Sequence, residues 1–147
     1  MSYTERFTET HNPLIVGTHN TVQVGTYDTE YVSLMNYHRA FLLAQCVEMG
    51  AGSSVTFSIR QATSTAGASA KAITGKSATA LTAAGGDEGA IVGIELRTEE
   101  LDVSNEFDCV NVRIVVAGAA CIVAYYLFGI ISRYEPVSTD NWHEIVD

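Results

Sequence analysis

Basic side chains are scarce in this chain. Eight Lys and Arg stand against 17 Asp and Glu, which leaves a formal net charge of −9 over 147 residues. A surface that grips nucleic acid needs clustered Lys and Arg, so no nucleic-acid partner is expected. Cysteine is sparse as well. Cys46, Cys109 and Cys121 are an odd number in no metal-ligand spacing, and each has apolar neighbours, which reads as reduced core thiols. Only 17% of the residues are charged while 47% are hydrophobic. That is far too apolar for a disordered chain and enough to build a core without staples. The opening stretch Met1–Glu9 lacks the apolar h-region of a secretory signal, so synthesis in the cytosol is the expectation.

What is present is alternation. Val55, Phe57 and Ile59 point one way, and Thr56, Ser58 and Arg60 the other. The same pattern runs through Val110, Val112, Ile114 and Val116, with Asn111 and Arg113 opposite, and a further strand covers Ile91–Leu96. Tyr37–Met49 holds good helix formers, but a period-2 set of Phe41, Leu43, Val47 and Met49 competes, and Gly50–Ser53 stops it in a hairpin-like turn. Ile114–Ile131 is 18 residues without a charge, which reaches the lower limit for a membrane helix. Two strands joined by Ala117–Ala120 account for it better, because the alternation begins before the run and Val, Ile, Tyr and Phe suit strands. No membrane association is therefore expected. Five or six strands and no convincing amphipathic helix predict an all-β fold: an antiparallel β-sandwich, jelly-roll-like, over residues 31–134. Residues 1–30 form an extended N-terminal arm and residues 135–147 an acidic C-terminal tail.

Three motifs invite a chemical reading. Ala70–Ser77 fits a relaxed phosphate-loop pattern with Lys76 and Ser77 at its end, but no strand precedes it and no helix follows, as such a site requires. Residues 62–86 read instead as a long surface excursion, nine of 25 residues being Ala, with one short edge strand around Ala72–Leu81 and two solvated lysines, Lys71 and Lys76. Residues 87–108 hold eight carboxylates against Arg97 alone. A Ca²⁺ site around Asp102, Asn105, Glu106 and Asp108 is one reading, and a solvated acidic rim is the other, favoured because no known ligand order is present. His38 and Cys46 lie eight residues apart on one strand, about 26 Å, too far to act as a pair. No other catalytic constellation emerges, so neither an enzyme nor a cofactor is expected.

The segment Cys121–Ile131 is apolar on both faces, whereas a sandwich strand normally wets one. Its second face needs a cover, which points to a homo-oligomer or another part of the chain. Tyr125, Tyr126, Phe128 and Tyr134, with Tyr3 and Phe7 from the arm, are the candidate interface residues.

A resemblance runs from Tyr37 to Ser138. Tyr37-His38-Arg39-Ala40 opens an apolar strand, and Ile59-Arg60-Gln61-Ala62-Thr63 leads into an Ala/Gly/Lys stretch. Glu95–Val103 precedes Phe107-Asp108-Cys109-Val110, and the last apolar strand ends Ser132-Arg133-Tyr134. In this order of features the chain resembles small tailed-phage proteins encoded beside the major capsid protein. The resemblance implies a virion structural role in the phage head, as a decoration or cement protein whose partners are the major capsid protein and further copies of itself. A soluble β-sandwich module that binds a carbohydrate or peptide through tyrosines is the alternative, as is a neck or tail component.

Overall fold

A computed structural model describes residues 6–133 and 141–146. Its strands are β1 (His11–Val22), β2 (Gly25–Asp28), β3 (Val32–Ser33), β4 (Tyr37–Met49), β5 (Ser54–Ala62), β6 (Lys71–Ser77), β7 (Leu81–Thr82), β8 (Ile91–Arg97), β9 (Cys109–Ala117) and β10 (Cys121–Ser132). One sheet has the order β1-β10-β4-β8. The other has the order β2-β9-β5-β6, with β3 also on β9 and β7 also on β5. All pairings are antiparallel. The first strand lies beside the last, β2 and β3 beside β9, β4 beside β8, and β5 beside β6 and β7. That nesting is a long hairpin rolled into two layers, the connectivity of a jelly roll. The all-β sandwich expected from the alternation is what the chain forms, with ten strands among the described residues rather than five or six: β2, β3 and β7 are short edge pieces, and the 12 residues of β1 mix Pro, Gly, Thr and Asn and so carry little alternation.

The core lies between the layers. Val55, Phe57 and Ile59 from β5 and Val110, Val112, Ile114 and Val116 from β9 are buried on one side of it. Leu42, Ala44 and Cys46 from β4 and Val123, Tyr125 and Leu127 from β10 close it from the other. Each fully buried Leu, Ile, Val or Phe stabilises the fold by about 1.5–3 kcal/mol. One strand enters with the opposite phase to that expected. The inward set of β4 is Ala40, Leu42, Ala44 and Cys46, while Phe41, Leu43 and Val47 look out. Both sets are apolar, so period alone does not select one. A register shift beside Val47 then returns Met49 to the interior, so the period-2 set Phe41, Leu43, Val47 and Met49 is split between the two faces.

The two corners expected as tight strand-to-strand turns are crossings between layers. β4 and β5 lie in different sheets, and so do β9 and β10. The uncharged run 114–131 is therefore two strands, as expected, but they do not pair with each other. Three small residues are enough to span the ~10 Å between packed sheets. The corners touch: the Gly50 N–H donates to the Ala120 carbonyl at 3.0 Å. Gly118 is left-handed, with φ 79°, and a side chain there would run into the Gly52 carbonyl oxygen.

The N-terminal segment is extended and is part of the sheet rather than an appendage. β1 pairs with β10 from His11 to Val22, and β2 and β3 pair with β9, so the sandwich begins well ahead of Tyr31. An edge position tolerates Pro13, which cannot donate to a ladder. Asn12 is buried and donates to the Tyr37 hydroxyl at 3.0 Å. Residues 62–86 likewise contribute β6 and β7 to the far edge of the second sheet. Among the described residues no helix is long and apolar enough to cross a membrane.

Candidate functional site: the outer face of the four-stranded sheet

β10 and β4 are the two central strands of the first sheet, and both are apolar on both sides. Strand pairing sets their outward residues in rows. Pro13, Phe128 and Phe41 form one row, ending at exposed Glu95 on β8, and Val16, Tyr126 and Leu43 the next, ending at Gly93. Ala124 and Gln45 follow, ending at Ile91. Val16 is 59% exposed, Ile91 66%, Val47 47%, and Leu43 and Tyr126 36% each. Ahead of β1 a single helical turn, Phe7–Thr10, brings Phe7 onto the same face. The Phe7 ring meets Phe128 edge-on at 5.9 Å and stacks on His11 at 4.1 Å, and Tyr126 stacks on Phe128 at 6.4 Å. Such pairs add about 0.5–1.5 kcal/mol beyond burial. The result is an apolar face across the two central strands, bordered by Glu95 on β8, with a dimple of about 80 Å³ between Leu43, Ile91 and Tyr126.

Of the candidate interface residues, the fold brings Tyr126, Phe128 and Phe7 together on this face. Tyr125 is not with them. It alternates inward, is 5% exposed, and covers Gly17, where a Cβ would collide with its ring. Burial pushes its phenol pKa up from the ordinary value of 10.0. Tyr3 and Tyr134 lie outside the described residues. Phe41, Leu43, Val16 and Ile91 belong to the face and were not among the candidates. Only the phase of β4 and the pairing of β1 and β8 bring them there.

The other motifs resolve into ion pairs. Lys71 and Lys76 stand on β6, the edge strand expected around Ala72–Leu81, but both are held in ion pairs and are not simply solvated. Lys76 Nζ donates to the Glu95 carbonyl at 2.7 Å and pairs with Glu100 at 2.9 Å, and Lys71 pairs with Asp102 and sits 4.0 Å over the Phe107 ring. Asp102 also accepts two bonds from the Asn105 amide, at 2.8 and 2.9 Å. Its carboxyl is held below the usual 3.8, by the Lys71 bond first and Asn105 second. Glu100 is held below 4.5 by the Arg97 backbone N–H and then by Lys76. Among the described residues no three His, Cys, Asp or Glu side chains gather as metal ligands. On the second sheet, Arg113 grips Asp28 through two bonds of 2.7 and 2.5 Å and lowers its pKa. Exposed His38 is at one end of β4 and buried Cys46 is near the other.

A cleft of about 480 Å³ opens where β1 faces β2 and β3 along the edge of the sandwich. Leu14, Tyr27, Val32, Ile114 and Tyr125 line it, with Asp28 and Glu30 at its polar side.

No family model matches the chain, and no curated protein does. A search of solved structures returns one titled "Structure of infectious bursal disease virus Gx strain", at 11% identity and a TM-score of 0.35. The match covers 88% of this chain and 34% of that one. At that TM-score the likeness carries no argument, and the functional reading rests on the geometry above.

Proposed function

We propose that this chain is a virion structural protein of the head decoration or cement type, which binds the major capsid protein shell as a homo-oligomer in the phage head after synthesis in the host cytoplasm. The observation that carries the reading is the apolar outer face of the four-stranded sheet. A contiguous aromatic and aliphatic surface is uncommon on a protein that works alone, and aromatic residues are enriched where proteins meet. The sheet beneath it is braced by strand pairing along β1, β10, β4 and β8, so its backbone is ordered before any partner binds. The sequence resemblance over Tyr37–Ser138 supports the same role, and a net charge of −9 favours solubility of a densely covered particle. Repetition on a symmetric shell adds avidity to weak single contacts.

The test is co-sedimentation of the purified chain with undecorated heads, alongside Tyr126→Asp. Tyr126 is on the surface, so this variant is expected to fold while losing at least tenfold in bound copies per head and the associated heat resistance. Normal decoration by Tyr126→Asp removes the face from the interaction.

A second reading, a ligand-binding module, has the edge cleft with Tyr27 and Tyr125 in its favour. It predicts binding of a soluble carbohydrate or peptide that Tyr27→Ala weakens and Tyr126→Asp leaves untouched.

A further inference from the structure

The apolar face has a charge at each end, on one strand. Arg39 and Glu48 both lie outward on β4, because Arg39 pairs with outward Ile130 and Glu48 with outward Ile122. Between them run Phe41, Leu43, Gln45 and Val47. Both charged side chains are exposed, and neither has an ion-pair partner among the described residues. Arg97, across from Arg39 on β8, is instead engaged by Glu99 at 3.4 Å. On β4 a lone cation and a lone anion therefore bracket an apolar stripe whose midpoint is at Leu43 and Ala44, with exposed Glu95 beside it on the edge strand β8, level with Phe41.

From this placement we infer that the occupant of the face is a second copy of the same chain, in an isologous dimer. Take a two-fold axis lying in the interface, across the strands at the level of Leu43. It turns one β4 antiparallel over the other. Arg39 of each copy then meets Glu48 of the other, and the Leu43 and Tyr126 rows meet at the centre. An isologous interface requires a patch complementary to itself under such a rotation, and opposite charges at equal distances from the axis meet that condition. The size is adequate. Four strands about 4.8 Å apart and nine residues of about 3.4 Å rise cover roughly 600 Å² per copy, or about 1,200 Å² in all, at the lower bound for a specific interface. Sheets facing each other pack about 10 Å apart at roughly 30°, which suits the outward Phe, Leu and Tyr side chains. This inference deepens the oligomeric part of the proposed function by naming the surface and its occupant.

Sedimentation velocity and light scattering on the full chain test it. The wild type is expected to be a dimer at about 100 μM, with dissociation in the micromolar range and weaker association in high salt. Arg39→Glu alone and Glu48→Arg alone each place like charges together at two symmetric points and are expected to raise the dissociation constant at least tenfold. The double variant restores opposite pairs and is expected to recover the dimer. Leu43→Asp is expected to be monomeric, with a far-ultraviolet circular dichroism spectrum and melt that report the fold independently. A monomeric wild type, a dimer indifferent to Leu43→Asp, or a double swap that remains as weak as the single swaps overturns the inference. A monomer that nevertheless binds heads, and loses them on Leu43→Asp, assigns the face to the shell and overturns the dimer alone. A dimer that never co-sediments with heads overturns the virion reading alone.

Discussion

Cys46 and Cys109 illustrate how burial sets the chemistry of single residues. Desolvation, followed by the neighbouring Cys121, pushes the Cys46 thiol up to about 12. Desolvation, followed by Asp108, does the same to Cys109, also to about 12. At pH 8 only about one in 10⁴ such thiols is the reactive thiolate. Iodoacetamide is therefore expected to leave Cys46 and Cys109 unmodified in the native protein over minutes and to label them readily in denaturant, as mass spectrometry reads directly. Fast native labelling at either position would remove it from the core. The sequence context alone pointed to core thiols, because all three cysteines stand among apolar neighbours. Tyr125 and Tyr126 show the reverse case. They are adjacent, chemically alike and placed together by composition, yet one is 5% exposed and the other 36%. Successive strand residues point to opposite sides, so only the direction of the other sheet separates their roles.

At the scale of elements, β4 is the instructive strand. Its alternation announces a strand, but both of its faces are apolar. The inward set is the smaller one, with Ala40 and Ala44 either side of Leu42, and the aromatic and branched set faces out. The phase has a direct test. Leu42→Asp buries an unpaired charge and is expected to prevent stable folding, whereas Leu43→Asp, one residue away, is expected to fold with a melting temperature within a few degrees of the wild type. Equal damage from both substitutions would mean the outer face is also interior. The corners behave similarly. Gly50–Ser53 and Ala117–Ala120 are legible as turns from their small residues, but whether a turn returns the chain within a sheet or carries it to the other depends on which strands claim β5 and β10 as neighbours. Those neighbours, β9 and β1, are far away in sequence.

For the whole molecule the charge balance matters. Asp28, Glu100 and Asp102 all have folded-state pKa values below their ordinary 3.8–4.5, through Arg113, the Arg97 amide and Lys71 respectively. A carboxyl with a depressed folded pKa stabilises the native state above its unfolded value. As pH falls, the unfolded chain takes up protons first, and that contribution is lost through the folded values. Thermal stability from these groups is thus expected to be flat above about pH 5.5 and to fall below about pH 4.5. Because the pairs are near the surface, the decline is modest and weakens with salt. Melting curves from pH 7 to 3 check it, and Lys71→Ala is expected to reduce the slope. An unchanged slope would mean that the Lys71–Asp102 pair contributes nothing.

Alternation and composition alone make this a β protein with enough apolar side chain for a core, an acidic balance and an apolar C-terminal stretch divided into two strands. Period-2 alternation and residue type are local properties, and a strand expresses them wherever it ends up. Long-range pairing is what makes the N-terminal segment complete the first sheet, sets Lys71 and Lys76 against Asp102 and Glu100, and puts Phe41 and Leu43 beside Tyr126 and Phe128 on the outside. Those outcomes follow from pairings between residues tens of positions apart. When both faces of a strand are apolar, the face that becomes interior is the one the opposite sheet covers.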